Sequence, residues 1–434
     1  MKTRNTTLMQ RITVPYEYPV IFTHALFDRN NPTLARLLRR AGRGPHRLML
    51  CVDQGLAEPF PRLLDEAHGY LKPHAGWLTE AHPPLLVPGG EGAKNGWNGV
   101  REIMAAIGNA HLDRHSFVLA IGGGSLLDIA GFAAALVHRG IRLIRIPTTV
   151  LAQCDAAVGV KNGMDEHGQK NFVGTFAPPY AVLNDLDLLR KLPPRYWTGG
   201  LAEIFKVAII KDAALFRRLQ RDAAALRRRE ATVLEPLVIR SAKIHLDHIR
   251  DGGDPFERGS ARPLDFGHWS AHKLERLTHH RLGHGEAVAI GIALDVCYAA
   301  DRKLLTQPER DAIFDALHAV GLPLWDETCL AEAPTGGLAL LEGLEEFREH
   351  LGGRLTITLP RGIGARVEVN RIGRAAMADA LATLRAAARA RGTAGSWIGE
   401  ENAGRETSVD KAHDQEGSPT CSTCPSLGSG AAER

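Results

Sequence analysis

Cysteine is scarce in this chain: six among 434 residues, at Cys51, Cys154, Cys297, Cys329, Cys421 and Cys424. So thin a scatter is not a disulfide framework, and the expected setting is a reducing cytoplasm. Charge of one sign is lacking too. The 53 Lys and Arg against 49 Asp and Glu leave a net +4, too little to argue for nucleic acid without a localised patch. A long uninterrupted apolar run is also missing. The opening Met1-Lys2-Thr3-Arg4-Asn5 has no signal-peptide core. The most apolar stretch, residues 117–137, is broken by three consecutive glycines and by Asp128. An acid there would cost about 3 kcal/mol in a bilayer, so no membrane insertion is expected. Repeats are absent. What is present, 44% hydrophobic and 24% charged residues, suffices for a sizeable core and, at roughly 150 residues per domain, for two or three domains.

The first half alternates strand and helix signals. Short apolar runs at 47–52, 84–87, 117–121 and 142–146 are separated by amphipathic stretches such as 100–110, which predicts βαβ units and a Rossmann-like parallel sheet. From about Leu192 long helical patterns take over, at 201–226, 231–250, 269–278, 286–303 and 308–320. A short β segment at 354–359 and a closing helix at 371–391 follow. The reading is therefore an α/β domain over residues 1–190, an all-α domain over 191–391, and a disordered polar tail over 392–434. Cys421 and Cys424 form one CxxC in that tail, with nothing around them to complete a site.

Three groups of residues carry chemistry. Gly122-Gly123-Gly124-Ser125 follows an apolar strand and opens a helix containing Asp128. Such a turn admits a pyrophosphate to the free N–H groups of a helix start, although its spacing is not GxGxxG and a plain tight turn would read alike. Asp53 and the Gly89-Gly90-Glu91-Gly92-Ala93-Lys94 segment place acids at two earlier strand ends, where a ribose would sit. Next, Thr148 and Thr149 end a strand and lead into Asp155, Lys161, Asn162, Lys170 and Asn171. That density of ammonium and amide groups suits an anionic small molecule, with a solvated loop as the bland alternative. Third, Glu203 and Lys206 share a helical face, as do His268 and His272, and His284 begins a further helix. One carboxylate and two imidazoles from separate helices would leave an open metal position, although any single histidine among 19 is more often structural.

Taken together, GGGSLLDIAGF (122–132), PTTVLAQCDAAVGVKNG (147–163), KNFVGTFAPP (170–179), GLAEIFK (200–206), GHWSAH (267–272) and HGEAVAIG (284–291) resemble the sugar phosphate cyclases, typified by 3-dehydroquinate synthase. The resemblance implies a homodimer with an NAD-binding domain, a helical domain bearing zinc or cobalt, and a sugar phosphate between them. It implies Glu203, His268 and His284 as metal ligands, and Asp53, Glu91, Lys94, Gly123, Gly124, Asp128, Thr148 and Thr149 as the NAD site. Lys161, Asn171, His272 and, from a partner subunit, Arg139 would grip phosphate, while Asp155, Lys170 and Lys206 would surround the reacting carbons. The implied reaction recycles NAD within each turnover, so its net result is phosphate loss and ring closure.

The chain departs from that family where a substrate carboxylate would be held. Before the metal histidine an arginine and an asparagine are usual. Here Arg262 is displaced by one position and Asp265 replaces the amide. His245 stands where a lysine is usual, and Arg348 or His350 where a phosphate-facing lysine is. An aspartate beside the metal would repel a carboxylate. The expectation is a cyclase for a carboxylate-free substrate such as sedoheptulose 7-phosphate. The alternatives are 3-dehydroquinate synthase itself, a metal-dependent polyol or alcohol dehydrogenase sharing GGGSxxD, and a scaffold without activity.

Overall fold

A computed structural model describes residues 7–252, 256, 263–334, 336–350 and 352–393. Arg262, the Cys421–Cys424 pair and the tail beyond Thr393 lie outside the described residues. In the first half the strands are β1 (Val20–Thr23), β2 (His46–Asp53), β3 (Leu78–Glu80), β4 (Leu85–Val87), β5 (Phe117–Gly122), β6 (Arg142–Pro147), β7 (Lys161–Glu166), β8 (Gln169–Phe176) and β9 (Ala181–Asp185). The helices among them are α1 (Thr33–Arg39), α2 (Leu63–Leu71), α3 (Asn98–Asn109) and α4 (Gly124–Leu136). The second half holds α5 (Pro194–Lys211), α6 (Ala213–Arg227), α7 (Ala231–Asp251), α8 (His268–Leu277), α9 (His284–Asp301), α10 (Gln307–Ala319) and α11 (Gly343–His350). It closes with β10 (Ile357–Pro360), β11 (Arg366–Val369) and α12 (Arg374–Ala390).

Strands β1, β9, β6, β5 and β2 lie side by side in that order, and β3 and β4 share the outer edge of β2. All these pairings are parallel, as the alternation of strands and helices predicts. Side chains leave the sheet with a period of two. Leu48, Leu50 and Val52 of β2 enter one apolar layer, with Leu119 and Ile121. Met49 and Cys51 enter the other, against Val100, Ile103 and Ile107 of α3. The whole of β5 is buried, as a central parallel strand covered on both faces must be. Each fully buried Leu, Ile or Val here contributes roughly 1.5–3 kcal/mol.

The helical half packs around α9, which is buried from Gly285 to Ala300 and touches α5, α8, α10 and α12. A helix apolar on every side belongs at the centre of a bundle. The single helix expected over 201–226 is two. Asp212 leaves helical geometry at φ −148°, and its carboxylate accepts from the Ala214 and Leu215 N–H groups, both at 3.0 Å, to start α6. The polar stretch after Thr149 is also more ordered than a loop. Residues 161–176 form the antiparallel hairpin β7–β8, packed on α4 mainly through β7; Asn162 to Asp165 of β7 are buried, while β8 alternates between exposed and half-buried residues. Among the described residues no helix is long and apolar enough to cross a membrane.

Candidate active site

The carboxyl ends of β2, β5 and β6 open into a cleft of about 490 Å³ lined by Asp53, Glu91, Gly123, Gly124, Thr148 and Thr149 on the sheet side. Gly122 ends β5 with no room for a side chain. A Cβ there would lie 2.6 Å from Leu126 Cδ2 and 2.9 Å from Asp53 Cβ. The chain can therefore turn sharply into α4 and leave its first N–H groups facing the cleft. Asp53 accepts from the Gly55 N–H at 2.8 Å, and burial, only partly offset by that bond, raises its pKa. Lys94 and Asp128, expected at the cofactor, stand behind the lining and bind each other at 2.7 Å. Lys94 also donates to Asn171 Oδ1 at 2.5 Å. Burial would lower the Lys94 pKa, but Asp128 and Glu91 outweigh it and hold the ammonium charged.

From Glu91 a line of alternating charges runs into the helical half. Lys170 Nζ sits 3.4 Å from Glu91 Oε2 and 2.7 Å from Glu275 Oε1. Glu275 Oε2 in turn lies 3.3 Å from His284 Nδ1. Burial alone would push the Glu275 carboxyl up; Lys170 and His284 reverse that and hold it well below the usual range. Further on, Lys206 pairs with Glu203 and lies 3.6 Å from Asp155 Oδ1. Asp155 is also 2.8 Å from His245 Nδ1. It too is held well below its ordinary value, burial being overcome by Lys206 and His245.

Between these two stretches stand Glu203, His268 and His284, whose ligand atoms all fall within 4.8 Å of one another. Glu203 Oε1 is buried, has no hydrogen-bond partner, and lies 3.7 Å from both His268 Nε2 and His284 Nε2. That is too far for a hydrogen bond and close to the roughly 3.4 Å edge of a tetrahedron with 2.1 Å metal bonds. The opposite ring nitrogens are engaged: His268 Nδ1 with the Phe266 carbonyl at 3.0 Å, His284 Nδ1 with Glu275. Each imidazole is thus oriented with Nε2 toward Glu203, an arrangement typical of metal-binding histidines. Burial, helped by Lys206, takes His268 down to about 3, so the ring is a neutral donor. The donor set fits a divalent zinc-type cation. A second grouping, His272, Glu275 and His284, is also compact, but the Lys170 ammonium already occupies its carboxylate.

His272 stands beside both of these histidines, 5.5 Å from the His268 ring and 6.1 Å from the His284 ring. Burial, then Lys170, holds it neutral. Asp265 keeps a buried Oδ2 with no hydrogen-bond partner and helps raise the Lys206 pKa. Lys161 is exposed at the start of β7. Arg139 is exposed past the far end of α4, some 20 Å of helix from the glycine turn, so within one chain it takes no part in the site. Arg348 is tied to Glu345 at 2.9 Å and to the Gly353 carbonyl at 2.9 Å; the His350 side chain lies outside the described residues.

Several supports of the site go beyond the motifs. Glu275 is seven residues beyond His268 on the same helical face, a spacing that would have found it. Arg145, fully buried on β6, donates to the carbonyls of Ala157 (3.0 Å), Gly159 (2.7 Å) and Lys161 (2.9 Å), clamping the turn that carries Asp155. A lone cation inside an apolar strand was its signal. The ion pair between Arg195 and Glu286, which lines the cleft's helical side, had none.

Comparison with known proteins agrees with this architecture. Profiles of the 3-dehydroquinate synthase N-terminal and C-terminal domains match residues 84–199 and 200–336. The 2-epi-5-epi-valiolone synthase of Streptomyces glaucescens is 35% identical over 82% of this chain and 87% of that protein. The 3-dehydroquinate synthase of Paracoccus denitrificans is 33% identical over 80% of this chain and 94% of that protein. Among solved structures, the 2-epi-5-epi-valiolone synthase of Streptomyces hygroscopicus subsp. jinggangensis, with NAD+ and Zn2+ bound, superposes with a TM-score of 0.76 at 31% identity, over 86% of this chain and 99% of that one. With matching profiles over both halves and relatives above 30% identity along nearly their full length, this chain belongs to the 3-dehydroquinate synthase family of sugar phosphate cyclases.

Proposed function

We propose that this chain is an NAD- and zinc-dependent sugar phosphate cyclase whose substrate is a seven-carbon sugar phosphate without a carboxylate, such as sedoheptulose 7-phosphate. The observation that carries the cyclase reading is the approach of one orphaned carboxylate oxygen, Glu203 Oε1, to two oriented imidazoles at 3.7 Å each, beside a cleft lined by a glycine turn and Asp53. When bound, the nicotinamide and the metal supply reversible hydride transfer and polarisation of the substrate oxygen, so that phosphate leaves by elimination and the ring closes without net oxidation.

The chain's own residues divide the remaining work. Asp53 accepts the ribose hydroxyls, while the N–H groups around Gly123 and Gly124 and the hydroxyls of Thr148 and Thr149 receive the pyrophosphate. Glu203, His268 and His284 hold the metal. Lys161, Asn171 and His272 face the phosphate, with Arg139 joining from a second copy. Lys206, kept charged by Asp155 and Glu203, donates to the substrate oxygens. Asp155 and Lys170 hold the hydroxyls.

Substrate choice follows from Asp265 and His245. A buried carboxylate oxygen with no donor asks for a hydroxyl, and a substrate carboxylate there would place two anions together at low effective dielectric. His245, already committed to Asp155, is a poorer counter-ion than a lysine. The test is purified protein with NAD+ and zinc, given sedoheptulose 7-phosphate and a heptulosonate 7-phosphate in parallel, with phosphate and NADH both measured. Phosphate release from the neutral-headed sugar without NADH accumulation is expected. Preference for the acid would make the chain a 3-dehydroquinate synthase, and accumulating NADH a dehydrogenase.

A further inference from the structure

The segment carrying His268 is pinned by a side chain that lies outside the proposed catalytic machinery. Asp295, fully buried on α9, accepts from the Gly267 N–H through Oδ2 at 3.0 Å and from the Trp269 indole N–H through Oδ1 at 2.8 Å. The two donors are the residues immediately before and after His268. Gly267 adopts φ +79°, a left-handed geometry that favours glycine, and a Cβ on Gly291 of α9 would collide with the Gly267 carbonyl oxygen. Backbone and carboxylate together therefore fix the path of residues 266–269 against α9, the helix that opens with His284.

We infer that Asp295 is a positioning residue for the metal site, locking the His268 backbone and α8 start to α9 so that two of the three ligands are carried by one rigid unit. The inference rests on Glu203, His268 and His284 binding a metal. It assigns a task to a carboxylate that touches neither metal nor substrate. The Phe266 carbonyl, which fixes the His268 ring, belongs to the same pinned segment, so loosening Asp295 frees both the position and the rotation of that imidazole.

The variant Asp295→Asn keeps the shape but turns an amide N–H toward one of the two donors. Its zinc affinity, read by chelator competition, is expected to fall about 10–100-fold, the usual cost of losing an outer support. The visible absorption of the cobalt-loaded protein is expected to shift as well. Should Asp295→Asn fail to fold, Trp269→Phe removes one of the two bonds while keeping an aromatic ring, with a smaller loss, up to about tenfold. Variants that melt earlier yet keep wild-type zinc affinity and cobalt absorption would overturn the inference, because a purely structural carboxylate moves only stability. If wild-type protein binds no zinc at all, the metal reading itself falls, and the inference with it.

Discussion

The two sides of the cleft are built on opposite principles. The sheet side works by leaving atoms out: Gly122 has no space for a Cβ, and Asp53 is partnered by backbone N–H rather than by a cation. Toward the helical half buried charges crowd together, with Lys170 between Glu91 and Glu275, Lys206 between Glu203 and Asp155, and side-chain exposures of 10% or less for both lysines. A backbone cradle is disturbed by added volume and is nearly indifferent to a missing charge. A chain of buried ions behaves the other way, since deleting one member leaves its neighbours charged and unpaired.

The largest effect should come from the metal site. His268→Ala is expected to abolish bound zinc and to cut phosphate release by far more than the roughly 10–100-fold typical of an outer support, while NAD binding by calorimetry stays near wild type. A parallel collapse of NAD affinity would break the comparison, because the sheet side would then depend on the helical side. Next in size is Lys170→Met. It strands Glu275, whose side chain is 0% exposed, and should cost about 3–5 kcal/mol in denaturant unfolding. Adding Glu275→Gln should restore part of that loss. Gly122→Ala ranks third. Forcing a Cβ against Leu126 and Asp53 should cost about 1–3 kcal/mol and weaken NAD binding, leaving zinc stoichiometry at wild type.

What could be read from the sequence followed the same division. Strands β2, β4, β5 and β6 announced themselves as apolar runs, and the glycine turn as a backbone motif, because both are local signals. Asp53, Glu91, Thr148 and Thr149 lie at or just past strand ends and line the cleft. Lys94 and Asp128 did not reach the cleft lining, since each is the other's counter-ion, a pairing across 34 residues that no local pattern encodes. Strands β1, β3 and β9 are not among the apolar runs read from the sequence. The hairpin β7–β8 was hidden by its polar faces. The gathering of Glu203, His268 and His284 came from motif resemblance. Their orientation by Phe266, Glu275 and Asp295 came only from packing between α8 and α9.

The subtlest effect separates the two sides by pH. Asp53 and Asp155 share an ordinary pKa of 3.8 and are shifted in opposite directions. For Asp53, burial favours the protonated form in the fold, so its ionisation costs stability as pH rises through the folded value. For Asp155, burial is overcome by Lys206 and His245, so the ionised form is favoured; the stability it contributes is present above 3.8 and is lost as pH falls through the lowered folded value. Asp155→Asn should therefore lower the thermal midpoint at pH near 7 and lose that penalty in strong acid. Asp53→Asn should leave the midpoint near 7 equal to wild type or raise it, with the gain fading in acid, while NAD binding weakens. Melting curves from about pH 2 to 7.5 on wild type and both variants would show it. If Asp53→Asn instead destabilises most at neutral pH, the Asp53 carboxylate is held by more than backbone N–H groups, and the sheet side is as dependent on buried charge as the helical one.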